Sequence, residues 1–295
     1  MTEPGTIRIG IAGWVFEPWR GSFYPKGLKS RDELAFASSA LGTIEINATY
    51  YRTQKPDSFE TWAAAAPDDF LFSVKGNRFI TQGVNTRDPA VPLANFFASG
   101  IFRLGAKLGP LVWQLPSTTR FDPERLEAFL KLLPRSPEAA GALAVQHEDR
   151  LGENTATDPG GIGHLRHAIE VEHPSFADPG FVQLLRKYKT AMVINDTAGW
   201  PYRDVTADFV YARLKGPPGG GGYTEADLDH WAEQVAGWAE GLESGGESLL
   251  APRAQTPSLD CFLYFVHEDK HHAPRNAQLL MRRLGIAASS AWPRA

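Results

Sequence analysis

Short apolar runs alternate with amphipathic stretches along the 295-residue chain. The runs IRIGIAGW (7–14), TIEINATYY (43–51), FLFSVKGN (70–77), LGPLVWQLP (108–116), HAIEVEH (167–173), TAMVINDT (190–197), FVYARLKG (209–216) and CFLYFVHE (261–268) are rich in β-branched and aromatic residues, which predicts eight strands. Helical spacing is clearest at 31–41, 57–66, 122–133, 178–188, 224–243 and 274–285, and 89–104 reads as a further helix. Ser30 with Glu33 has capping-box spacing; Asp122-Pro123 and Asp178-Pro179 each set a capping acid before a first-turn proline. Residues 198–208 are too few for a long helix, so the unit between strands six and seven is degenerate. The stretches 150–164 and 217–222 (PPGGGG) read as loops.

Alternating β and α elements imply a parallel sheet. Eight such units imply closure, giving a single (β/α)8 TIM-type barrel over 1–295 as one domain. No glycine-rich helix start follows GIAGW, which argues against an open dinucleotide-binding sheet.

Within the strands, side chains alternate faces. Ile44 and Ile46 oppose Glu45, Asn47 and Thr49; Phe72 and Val74 oppose Ser73, Lys75 and Asn77; Trp113 opposes Gln114; Ile169 and Val171 oppose Glu170 and Glu172; Ala212 and Leu214 oppose Tyr211, Arg213 and Lys215. The apolar phase belongs against the helices, and the polar phase in the lumen. Residues late in each strand lie toward the C-terminal mouth, where barrel enzymes carry their chemistry. The expected lumen charges are Glu45, Glu170, Glu172 and Asp196 against Lys75, Arg213 and Lys215. Buried charge is costly unless paired, so this set is either an internal ion-pair network or a pocket for a hydrophilic ligand.

Composition narrows the classes. Net charge is -4, so no global field recruits nucleic acid or an anionic membrane. The single cysteine, Cys261, opens strand eight and reads as core; no intramolecular disulfide is available, which fits a cytoplasmic setting. No secretory leader is read at MTEPGTIRIG, and no run reaches membrane-span length. No feature sets an oligomeric state.

The residues GIAGWVFEPWRGSFYP and IEINATYYRTQKPDSFETWAAAAPDDFLFSVKGNRFIT are similar to the domain of unknown function 72, or YecE-like, family. The resemblance rests on Gly13-Trp14, Trp19 to Pro25, Glu45 to Tyr51, Trp62 to Pro67 and Lys75. Later it rests on LGPLVWQLP, on Glu170 with His173 and Ser175, on Asp196, on YARLKG with Tyr223, on Tyr264-Phe265 and on Asn276-Ala277. It implies a (β/α)8 barrel and specifies no reaction. The chain departs from the pattern at Gln82 and Lys215, each in place of histidine, and at Glu172 in place of arginine. Val266-His267 replaces an asparagine pair, and Phe176 replaces tryptophan. This marks a divergent member, in which the changes at 172 and 215 offset each other in charge.

The leading expectation is an acid/base enzyme, of hydrolase or lyase type, acting on a small polar, sugar or phosphorylated substrate. Glu170 and Asp196 are its candidate acid/base pair, with Glu45 in support. Lys75, Arg78, Arg213 and Lys215 would meet anionic charge, with the glycine-rich loop before Tyr223 as a candidate phosphate cradle. Asn47 and Gln114 would orient hydroxyls, Glu172 and Tyr223 belong to the same binding set, and Trp14 offers a ring for stacking. A metal site from Glu170, Glu172, His173, Asp196 and His267 is disfavoured because His173 has the opposite phase and no metal motif occurs. No cofactor motif is found. The alternatives are a non-catalytic binder of nucleotide or nucleic acid, which the net charge does not favour, and a structural barrel held by its ion pairs.

Overall fold

The computed structural model describes residues 3–84, 88–197, 199–217, 219, 221–242, 248–252, 257–266 and 270–288. Eight parallel strands close into a barrel in chain order: β1 (Ile7–Ala12), β2 (Thr43–Ile46), β3 (Leu71–Lys75), β4 (Leu108–Gln114), β5 (His167–Glu170), β6 (Ala191–Asn195), β7 (Phe209–Leu214) and β8 (Asp260–Phe265). This is the expected (β/α)8 fold. The helices are α1 (Glu33–Ala40), α2 (Ala48–Tyr51), α3 (Pro56–Ala65), α4 (Arg78–Gly83), α5 (Ala90–Ala98), α6 (Pro123–Leu132), α7 (Pro137–Ala144), α8 (Pro179–Lys187), α9 (Glu225–Glu240) and α10 (Ala273–Arg283). No helix joins β6 to β7 among the described residues, as the short connection requires. The chain divides into two compact units, Met1–Glu45 with Ala191–Ala295, and Ile46–Thr190.

Caps explain several helix starts. Asp122 accepts from the Arg125 amide and Asp178 from the Gly180 amide, each ahead of a proline. Thr224 and Asp227 form a reciprocal capping box at α9. The box expected from Ser30 and Glu33 does not form. Ser30–Asp32 is a 3-10 turn, and the Glu33 carboxylate instead accepts from Arg20 Nε at 2.7 Å. The segment 89–104 is two pieces, α5 and a 3-10 stretch from Ile101 to Lys107, separated at Gly100 in the left-handed region.

In the unit 46–190 the outer face of the sheet is fixed by Trp113. Its buried indole meets Phe96 of α5 at 5.4 Å and Phe129 of α6 at 5.7 Å, both edge-to-face. It also donates to His167 Nδ1 at 3.1 Å, while His167 Nε2 donates to Pro134 O at 2.7 Å. Burial pushes the His167 imidazole down to about 3, so it stays neutral. Phe176, in place of the tryptophan of the family pattern, is buried against Phe121 and Phe181. In the other unit Cys261 is buried at the start of β8, and burial raises its thiol. Among the described residues no helix is long and apolar enough to cross a membrane.

Candidate functional site

The strands are shorter at their C-terminal ends than their apolar runs suggest, and this relocates several candidates. Asn47 follows the end of β2 and begins the turn into α2; its buried Oδ1 has no hydrogen-bond partner. Glu172 lies two residues past β5 and is exposed, so alternation does not carry it into the lumen. Asp196 and Lys215 each stand one residue past their strands. Arg78 is exposed at the start of α4, its guanidinium 5.9 Å from the Tyr51 ring. Gln82 is exposed on α4, and His267 lies outside the described residues.

In the unit 46–190, three candidates share one face. Parallel register pairs Gln114 with Glu170, and Lys75 with Val112, which pairs with Ala168. Register partners point the same way, and residues two apart on a strand do too. Lys75, Gln114 and Glu170 therefore face together, opposite Trp113 and the helices. Glu170 is fully buried, Lys75 is nearly so, and Gln114 is half-buried. The Lys75 ammonium sits 4.3 Å from the Tyr50 ring centroid, and its carbonyl accepts from Thr49 Oγ1 at 2.7 Å. Asn77 caps α4 through Phe79 N and donates to Thr49 O, which ties the end of β3 to α2.

In the other unit, Glu45 is held by a fork. Arg213 Nε meets Oε2 and Nη2 meets Oε1, both at 3.1 Å, and Tyr211 donates to Oε2 at 2.7 Å. Both charges are buried. Register pairs Arg213 with Asn195, so Asn195 shares that face. Asn195 is a buried residue that the sequence reading missed. Its Oδ1 accepts from Thr197 N and Oγ1, while its buried Nδ2 has no partner.

Asp196 anchors a loop. Its Oδ1 accepts from Lys215 N at 2.7 Å, and its Oδ2 accepts from Gly216 N at 2.9 Å and from the Tyr223 hydroxyl. Burial and then the Asp196 charge push the Tyr223 phenol up, so it remains a donor. The expected phosphate cradle is thus changed at its start. The first two amides after β7 already hold an internal anion, and Pro218 and Gly220 lie outside the described residues. Trp14, half-buried after β1, accepts from the Tyr24 hydroxyl through its carbonyl. Trp19 is buried and donates to Lys270 O at 2.7 Å, pinning the same loop.

No three His, Cys, Asp or Glu side chains among the described residues form a group that could hold a metal ion. His173, a ligand of the disfavoured metal set, accepts from Ser175 N at 3.1 Å at a 3-10 turn.

Residues 8–295 match the family described as protein of unknown function DUF72. The chain belongs to the DUF72 family. Two relatives are similar to this DUF72 chain: YecE of Escherichia coli K12, 25% identical over 174 residues, and YunF of Bacillus subtilis, 32% identical over 75 residues. The YecE match covers 59% of this chain and 51% of that protein, so the chain spans about half the length of this relative. The YunF match covers 25% of this chain and 26% of that protein. A DUF72 protein of Thermotoga maritima superposes with a TM-score of 0.69 at 22% identity, covering 95% of this chain and 99% of the other. A DUF72 protein of Enterococcus faecalis gives 0.69 at 16%, covering 98% and 99%. These likenesses show the DUF72 barrel fold.

Proposed function

We propose that this DUF72 barrel is an acid/base enzyme, of hydrolase or lyase type, acting on a small polar, sugar or phosphorylated substrate. The observation that carries this reading is Glu170. It is a fully buried carboxylate at the C-terminal end of β5, on the same face as Gln114 and Lys75. Withdrawing a carboxylate and an ammonium from water costs several kcal/mol per ion in order of magnitude, which packing alone does not require. Glu170 transfers the proton, Lys75 meets negative charge on the substrate, and Gln114 orients a hydroxyl. Asp196 anchors the loop after β7 and is not taken as the second acid, because its two oxygens already accept three hydrogen bonds.

The forked Glu45–Arg213 pair favours the structural reading for that part of the lumen, since its hydrogen bonds are internally satisfied. The two readings separate on turnover. Native protein and Glu170→Gln are assayed against a panel of chromogenic phosphate esters, glycosides and carboxylic esters. The expected result is turnover of at least one class by the native protein and a loss of at least about 100-fold in Glu170→Gln at an unchanged melting temperature. Equal rates in the two proteins, or no turnover of any class, defeat the proposal.

A further inference from the structure

A cleft of about 490 Å³ opens beside the ends of β2 and β3, walled by α2, α4, α5 and residues 148–150, all within the unit 46–190. Small-molecule sites run from roughly 300 to 1,000 Å³, so the volume suits one organic ligand. Neither Lys75 nor Glu170 lines it.

Its chemistry is two-sided. Tyr51 and Phe79 stand at the cleft 66% and 53% exposed, two large rings whose accessible surface a ligand can cover. Opposite in character are Arg52, Arg150, Glu148 and Asn95. Asn95 grips Glu148 twice, donating from Nδ2 to Oε2 at 2.6 Å and accepting from Glu148 N at 2.9 Å. Glu148 Oε2 in turn holds Arg150 Nε at 2.7 Å. The hydrogen bond from Arg150, then that from Asn95, keeps the Glu148 carboxyl below its ordinary range and therefore ionised. This chain steers one edge of the Arg150 guanidinium and leaves its terminal nitrogens for another acceptor. The Arg52 guanidinium has no ion-pair partner among the described residues. Among the lining residues, two cations against one carboxylate leave one net positive charge beside two exposed rings, and Arg78 adds a further guanidinium 5.9 Å from the Tyr51 ring.

We infer that this cleft is a binding site for a small aromatic monoanion, its ring covered by Tyr51 and Phe79 and its anionic group held by Arg150 and Arg52. A guanidinium suits carboxylate, sulfonate and phosphate alike because its donors form a planar fork. The site is independent of the acid/base reading of Glu170.

The probe for the test is 8-anilinonaphthalene-1-sulfonate, a fluorescent aromatic monoanion, with neutral N-phenyl-1-naphthylamine as its uncharged counterpart. The folded native protein binds one sulfonate per chain. Arg150→Gln and Arg52→Gln each weaken that binding about tenfold, as expected for losing one charge-assisted contact, and leave the neutral probe unaffected. Phe79→Ala weakens both probes. Melting temperatures are read on every variant, and the two arginine sites are exposed, so one serves if the other perturbs folding. Native affinity for the sulfonate in both arginine variants overturns the inference. So does preference of the native protein for the neutral probe, or an absence of saturable binding.

Discussion

Tyr223 donates its hydroxyl to Asp196, the same carboxylate that accepts the amides of Lys215 and Gly216. An ionised acceptor and a half-buried phenol make this a strong contact. Tyr223→Phe removes the donor and keeps the ring against Phe265. The expected loss is about 1.5–3 kcal/mol of stability, read as a lower midpoint with unchanged slope in urea unfolding. An unchanged midpoint would show that water replaces the phenol.

The Glu45–Arg213 fork should behave as a unit. Arg213→Met leaves a buried carboxylate without its cation and should cost about 3–5 kcal/mol. Adding Glu45→Gln should recover most of that loss. A double-mutant cycle in guanidinium chloride measures the coupling, and additive single effects would refute a coupled pair.

His167 makes stability depend on pH. Its folded value lies near 3, against an ordinary value near 6.5, so the unfolded chain binds the extra proton between those limits. The contribution is complete above about pH 6.5 and is lost as pH falls toward 3, by up to about 5 kcal/mol. Unfolding free energies from pH 7 to 4 should fall more steeply in the native protein than in His167→Gln. Parallel curves would rule this residue out as the source.

Gly76 follows β3 where the buried indole of Trp113 passes. A Cβ there would stand 2.1 Å from Trp113 Cε3, on a ring walled in by Phe96 and Phe129. Gly76→Ala should cost about 1–3 kcal/mol through overpacking. Thermal unfolding checks this, and a native melting temperature would mean the indole can shift.

The barrel was legible because strands buried on both sides read as apolar runs broken only at inward polar positions such as Glu45, Lys75 and Arg213. Their ends were harder to see. Composition stays aromatic through Tyr50 and Tyr51 although the chain has already turned into α2; what stops β2 is the end of its backbone pairing. Asn195 escaped notice because AMVIN is apolar up to its last residue, and only the pairing with Arg213 shows which way it faces. Asp196 looked like a lumen acid for a related reason. Its partners include two backbone amides, and amides carry no sequence identity. Glu172 was placed by alternation carried past the point where the strand ends.

The level pairing of Gln114 with Glu170 is locked by the Leu115 amide donating to Glu170 O at 2.9 Å. A slip of one residue would turn Glu170 out among the helices and bring Ile169 inward. The orientation of the buried acid is thus written into the ladder of the sheet, and the segments bridging strand to helix can be lengthened or exchanged without turning it away. Such a wall is a chassis: loops above it can change while the carboxylate keeps its direction.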